Sequence, residues 1–353
     1  MFKRHLFRSG IFCLMMGSLA LFLSSCSKPI KIEKLSGYAQ GTTYHISWWS
    51  QKPISKNKVQ GQFSNKLASI DKELSTWRND SYISRFNQSS STQWQKASKD
   101  FIGLIELAKQ INAKTHGCYD PTIGPLFDLW GFHKDVLHVP SASQIAAVKH
   151  DLGIDKIKVD KSRGMIRKTL PGVQLDFSSM GEGYTIGKLS QILEHDGIHN
   201  YIVEFGGDMK IKGHKPGGEK WRIAIERPIP TQDGIEPYRI VTINDESGVT
   251  LDTSGTYHHS FDDKGKEYSH ILDPRTGAPI THDLVSASVF GHVAKVSDAW
   301  ATAMLCLGPK QGLEVAKKQH LSVFFIRKDK KTFKSFESPA LEKSKRVAFA
   351  AKN

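Results

Sequence analysis

The chain has 353 residues, of which 39% are hydrophobic and 10% aromatic; this excludes a disordered or fibrous protein and leaves room for one large domain or two. Its formal charge of +14 would suit nucleic acid, anionic lipid or an anionic small molecule. The lysines are scattered, with short runs only at 328–331 and 343–346 and no interleaved aromatics, so a phosphate-bearing small molecule or a membrane surface fits better than nucleic acid.

The first residues stand apart from the rest. Lys3, Arg4 and Arg8 precede an apolar run over residues 11–23 that is too short to span a bilayer comfortably, the pattern of a secretory signal. Leu23-Ser24-Ser25-Cys26 follows, a lipobox in which the Cys26 thiol is lipidated and becomes the new N-terminus. We therefore expect a signal peptide over 1–25, a lipidated tether over 26–35, one domain over 36–342 and a loose basic tail over 343–353. The mature protein is expected at a membrane, facing the periplasm; Ser27, which is not acidic, tilts it toward the outer membrane of a Gram-negative cell and leaves inner and outer membrane both open. Cys118 and Cys306 remain after processing, and an oxidising compartment permits but does not require a bridge between them. Cys306, in an apolar segment, reads by itself as a small core residue.

Residues 38–48 predict a turn followed by a strand. Phe63, Leu67, Ile70 and Leu74 recur at helical spacing over 59–74, as do Phe101, Leu104, Ile105, Ala108 and Ile111 over 100–114. Between these helices, residues 75–87 read as polar loops. The stretch 116–126, dense in Gly and Pro, is a loop of the kind that positions either function or a crossover. Residues 173–177 predict a strand, 178–184 a glycine-rich turn opening a helix to Leu193, and 201–205 another strand. This is a usual way to cradle phosphate. Glu204 stands about twenty residues past Gly183, the spacing of a dinucleotide-binding acid, so a Rossmann dehydrogenase is a local alternative. Gly206-Gly207-Asp208 argues instead for a turn into a further strand. From Trp221 to Leu272, strands follow one another without helices, which suggests an antiparallel sheet; a helix after Ser297, another near 311–319 and a final strand at 321–327 complete the predicted α+β fold.

The most informative stretch runs from Asp252 to Thr302. Thr253-Ser254-Gly255 and the segment 270–277 read as polar turns, followed by a buried helix with Ser297 at its N-cap. Asp298 and Thr302, four apart, share one helical face. A carboxylate and a hydroxyl so placed suit a hard cation such as Mg²⁺. On spacing alone they suit better a plain helix in which Asp298 answers the dipole and Thr302 bonds the carbonyl one turn earlier; the neighbouring motifs shift the balance toward a metal.

Taken together, A-Q-G-T-T-Y at 39–44, L-S-T-W at 74–77, I-S-R-F-N at 83–87, D-P-T-I-G-P-L at 120–126, D-F-S-S-M-G-E-G-Y at 176–184, T-S-G at 253–255, H-I-L-D-P-R-T-G at 270–277 and D-A-W-A-T at 298–302 resemble the ApbE family of FAD:protein FMN transferases. The resemblance covers nearly all of the mature chain. It implies an ApbE-like fold of antiparallel sheets flanked by helices, with a flavin site between two intimately packed halves. It implies an enzyme that binds FAD and Mg²⁺, moves FMN to a threonine hydroxyl of a flavoprotein subunit of a membrane redox complex, and releases AMP. Residue by residue, Asp298, Thr302 and the carbonyl of Gly181 would hold the metal. Gln40, Trp77, Cys118, Tyr119, Asp120, Ser178, Tyr184 and Leu272 would contact the flavin, Trp77 and Tyr119 by packing against aromatic rings. His270 is the candidate base or phosphate contact. Departures from the pattern are Gln40 in place of Met, Glu182 in place of Lys, and Ala301 where a further carboxylate often stands. Two other readings use the same pocket: a lipoprotein that carries FAD without turnover, and an FAD pyrophosphatase with water in place of threonine. The paired Asp298 and Thr302 favour an enzyme over a carrier.

Overall fold

The computed structural model describes residues 30–132, 137–229, 236–257, 260–263, 266–330 and 332–351. The signal segment and Cys26 lie outside the described residues. Alternation of side chains about the pleat organises the centre: along Thr42–Trp49 and Asn200–Phe205 every second residue is buried over most of the strand. These strands belong to an eight-stranded sheet whose order follows the chain: Glu33–Ala39, Thr42–Trp49, Asn200–Phe205, Asp208–Lys212, Val249–Gly255, Leu284–Gly291, Ser322–Asp329 and Thr332–Glu337. Each pairs antiparallel with the next. No parallel crossover enters this sheet, so the Rossmann alternative falls; Glu204 binds His45 across a strand pair instead.

The helices are α1 (Lys56–Leu74), α2 (Tyr82–Gln88), α3 (Lys99–Lys114), α4 (Gly124–Trp130), α5 (Ala142–Lys149), α6 (Ser178–His195), α7 (Ala294–Lys318) and α8 (Pro339–Glu342). Helices α6 and α7 pack on each other and on one face of the large sheet. α3 and a small sheet of Gln95–Lys96, Ile157–Asp160 and Met165–Lys168 lie beyond α7 in the same core. The opposite face is covered by a three-stranded sheet of Arg222–Glu226, Pro237–Ile243 and Val347–Phe349, through Trp221, Ile223 and Val241 against Phe290 and Phe324. The α+β expectation holds.

Several local expectations change. Residues 82–88 form α2 because Ser81 caps it, its Oγ accepting the Ser84 N–H. Thr253-Ser254-Gly255 is the end of a strand, not a turn. Ser297 is not an N-cap: α7 starts at Ala294, and the Ser297 hydroxyl meets that of Thr250 at 2.8 Å. Helix α7 also joins two expected helices across a break at Gly308, whose φ of 74° only glycine adopts readily, followed by Pro309. Ser260–Asp263 pairs antiparallel with Lys266–Ser269. The tail is not loose, since Val347–Phe349 pairs with Pro237–Ile243.

Residues 173–177 precede α6 and belong to no sheet. Their partner is a side chain: Asn87 Nδ2 donates to the Leu175 carbonyl and Asn87 Oδ1 accepts the Leu175 N–H, both at 2.8 Å, as a neighbouring strand would. Alongside, the fully buried Lys168 ammonium donates to the carbonyls of Phe86, Asn87 and Val173 at 3.1, 3.3 and 3.2 Å. Burial lowers its pKa, and the three carbonyls give its protons partners. Removing the ladder-like pair with Asn87→Ala should cost about 2 kcal/mol, roughly 1 kcal/mol for each bond. In urea unfolding this appears as a lower midpoint with an unchanged m-value.

Candidate active site

The site forms where α6 crosses α7. Their approach needs Gly183: a Cβ there would lie 2.5 Å from the Ala294 carbonyl carbon and oxygen. At this crossing the Gly183 N–H donates to Asp298 Oδ2 at 2.9 Å. Asp298 is 6% exposed, one turn into α7, and Thr302 follows on the same face with its hydroxyl 3.1 Å from that of Ser254. Gly181 lies two residues before Gly183 in the first turn of α6, with open space where a side chain would be. Asp176, just ahead of α6, accepts the Ser178 N–H at 2.7 Å, capping a helix whose N-cap Phe177 has no side-chain acceptor.

Three further acids gather around Asp298. Asp208 accepts the Thr253 N–H at 2.7 Å. Asp252 is fully buried and neither of its carboxylate oxygens has a hydrogen-bond partner among the described residues. Thr250 and Ser297 lie close enough to ease its charge, but their hydroxyls turn to each other. Glu182 lies over Gly206 in the turn before Asp208. Burial, the main cause, raises Asp298 to about 7 against the pull of the Gly183 N–H. Glu182 is pushed up to about 8 by burial, then by Asp298 and Glu204. Asp208 and Asp252 are held well above the carboxylate range, first by burial and then by neighbouring acids. The charge is therefore crowded and under-compensated, in a setting of carboxylate, hydroxyl and backbone oxygens.

Beside this cluster is a small pocket of about 60 Å³. It gathers many of the expected site residues: Cys118, Tyr119, Asp120, Ser178, Leu272 and Thr302 all line it. Asp176 lines it too, and also lines a wider cavity of about 330 Å³ whose rim includes Trp77, 80% exposed. The roles differ from residue to residue. Tyr119 is only 2% exposed and its hydroxyl accepts from Ser179 at 3.0 Å, so its ring is mostly core. The Asp120 carboxylate is consumed by Thr122, Asn112 and the Ile154 N–H, which shape the loop. Burial raises its pKa despite these bonds. His270 directly precedes Ile271, another pocket residue.

Two expected contacts lie outside both cavities. Tyr184 is buried with its hydroxyl donating to Asp100 at 3.0 Å. Gln40 sits at the exposed hairpin turn with φ 54°, its Oε1 accepting from Thr185 at 3.0 Å. Cys118 and Cys306 form a disulfide, so Cys306 is more than a core residue.

The ApbE family model matches residues 40–325. The chain belongs to the ApbE family. Among its ApbE relatives, the FAD:protein FMN transferase of Klebsiella pneumoniae is 36% identical over 309 residues, covering 86% of this chain and 87% of the relative. That of Haemophilus influenzae is 34% identical, covering 92% and 95% respectively. The solved flavin transferase ApbE from Vibrio cholerae has a TM-score of 0.79 at 31% identity, covering 89% of this chain and 99% of that one. The apo flavinyl transferase ApbE from Pseudomonas stutzeri has a TM-score of 0.80 at 32% identity, covering 89% and 96%. The ApbE-like fold is therefore established along most of the chain.

The acids of this ApbE chain set a sign for its pH dependence. A carboxyl whose folded pKa lies above its unfolded value contributes stability at acid pH that is lost as pH rises toward the folded value. For Asp298 and Glu182 the window runs from about 4 to about 8. Chelator-treated protein should melt lower at pH 8 than at pH 5.5, by calorimetry. Asp252→Asn should raise the melting temperature more at pH 8 than at pH 5.5, because burial holds the Asp252 carboxyl well above the carboxylate range and the cost of that grows as pH rises above the unfolded value.

Proposed function

We propose that this protein transfers FMN from FAD to a threonine hydroxyl of an acceptor flavoprotein, releasing AMP, with Mg²⁺ held at the α6–α7 crossing. FAD:protein FMN transfer is the activity of its ApbE relatives, and the family makes this chain a transferase. The observation that carries the finer reading is the crossing itself. Asp298, Thr302 and Gly181 offer a carboxylate, a hydroxyl and a carbonyl among acids short of positive charge, which is the donor chemistry that a hard divalent cation takes. Asp252, buried with no hydrogen-bond partner for either oxygen among the described residues, adds to the demand for a cation. Bound there, Mg²⁺ would offset charge on the pyrophosphate and on the phosphoryl group in transfer.

The remaining work falls to side chains and backbone. The two cavities, which share Asp176 in their walls, offer neighbouring places for the two ends of a dinucleotide, with Trp77 at the rim available to stack and Ser178 at the start of α6 near phosphate. His270, beside the pocket, takes the proton from the acceptor hydroxyl as its oxygen bonds to the FMN phosphorus and the bridging P–O bond to AMP breaks. Hydrolysis of FAD needs only water in place of the threonine. Lipid attachment through Cys26 would hold the enzyme at the outer face of a membrane, where flavoprotein subunits of redox complexes present such acceptors.

Protein lacking residues 1–26, mixed with FAD, Mg²⁺ and an acceptor domain, should add the mass of FMN to the acceptor and release AMP in equal amount. Asp298→Ala should lower that rate by at least about a hundredfold, and chelation should abolish it. Labelled acceptor formed equally well under chelation would defeat the metal reading; AMP without label would favour hydrolysis. In the full-length protein, Cys26→Ser should move the enzyme from the membrane to the soluble fraction, as read by immunoblot.

A further inference from the structure

The bond between Cys118 and Cys306 joins residues 188 apart in sequence, and its place is specific. Cys306 lies on α7 one turn beyond Thr302, and both face the small pocket. Cys118 begins the opposite wall, which continues through Tyr119, Asp120 and Ile123. That wall is well tied elsewhere: Asn112 Nδ2 donates to the Tyr119 carbonyl, Asp120 accepts the Ile154 N–H, and the Pro121 carbonyl accepts the Asp176 N–H. Among the described residues, however, no hydrogen bond joins residues 115–123 to α7. The disulfide is the fastening between the wall and the helix that carries Asp298 and Thr302.

Its surroundings also define how it reacts. Cys118 and Cys306 are 3% and 4% exposed, so the route to their sulfurs is through the pocket. The Asp273 carboxylate lies within 4.8 Å of both sulfurs. That carboxylate is paired with the Arg275 guanidinium at 2.8 Å, so it adds little net charge beside the sulfurs, and access through the pocket is what limits exchange.

We propose that the Cys118–Cys306 disulfide is both a positioning element of the dinucleotide pocket and a redox modification site. Formed, it holds the Cys118–Ile123 wall against the Thr302 turn of α7; reduced, it lets α7 and that wall separate and weakens FAD binding. This rests on the reading of the pocket as the FAD site. The modification balances as an exchange. Two protein thiols and one disulfide donor, such as an oxidised dithiol protein, give the Cys118–Cys306 bond and the donor's two thiols, which receive two electrons and two protons. A dithiol reductant reverses it through a mixed disulfide formed from the pocket side, and bound FAD covers that approach. The reaction that must precede full activity is thus thiol oxidation by a disulfide donor.

The test compares FAD affinity, by flavin fluorescence, of oxidised protein and of protein reduced with dithiothreitol, with two free thiols confirmed by alkylation and mass. Reduced protein with an unchanged far-UV circular dichroism spectrum should bind FAD about tenfold more weakly, a shift near 1.4 kcal/mol. Re-oxidation should restore affinity, and saturating FAD should slow the appearance of thiols. The Cys118→Ala/Cys306→Ala double variant should match the reduced protein and be insensitive to dithiothreitol. Equal affinities for the oxidised and reduced protein overturn the proposal while leaving the FAD site intact. So does an equal loss on adding reductant to the double variant. Failure of FAD to bind in either state overturns the site reading and this proposal together.

Discussion

A buried carboxylate at a helix crossing governs this molecule. Asp298 accepts the Gly183 N–H where α6 and α7 come too close for any side chain larger than hydrogen. Because that contact fixes both helices, it fixes what each brings: the first turn of α6 with Ser178 and Gly181, and the face of α7 with Thr302 and Cys306. The sheet beneath supplies Asp208 and Asp252 from neighbouring strands, so the acids converge from several elements. Packing that merely filled a core would place apolar groups at this point, since unpaired buried charge is costly. The cluster makes sense as a site whose compensation arrives with its ligands.

Around this centre the fold spends polar groups on backbone that no sheet or helix serves. Asn87 stands in for a strand, Lys168 for the missing donors to three carbonyls, and Asp120 for a turn. All three act on the segments that wall the cavities. The cavities thus have irregular walls held in fixed positions, as loops on a rigid scaffold provide.

Much of this was legible in the sequence, and the limits have physical reasons. Asp298 and Thr302 were visible as a pair because helical periodicity puts neighbours in space at fixed spacing. The helices over 59–74 and 100–114 announced themselves through one apolar face. Asp208 and Asp252 were not marked as site residues, because a sheet brings distant segments side by side with no trace in local spacing; an aspartate inside a strand otherwise made of apolar and hydroxyl residues was the available signal for Asp252. The strand expected at 173–177 has the right residues but finds a side chain where a ladder would be. Tyr184 lay within a motif pointing to the flavin, yet helical rotation turns it toward Asp100. The Cys118–Cys306 pairing joins a loop and a helix far apart in the chain, which composition could permit but not assign.

The break in α7 has its own consequence. Gly308 lies against His282, and a Cβ at that position would meet the imidazole ring. With Pro309 it interrupts the helical ladder directly after the turn that carries Cys306. The site-bearing half of α7 therefore has a defined end of its own, and the phase of its side chains is not passed on to residues 310–318. Change of length or composition in the distal half can accumulate without rotating Asp298 or Thr302 about the helix axis. The two halves of one helix are in this sense separately evolvable parts.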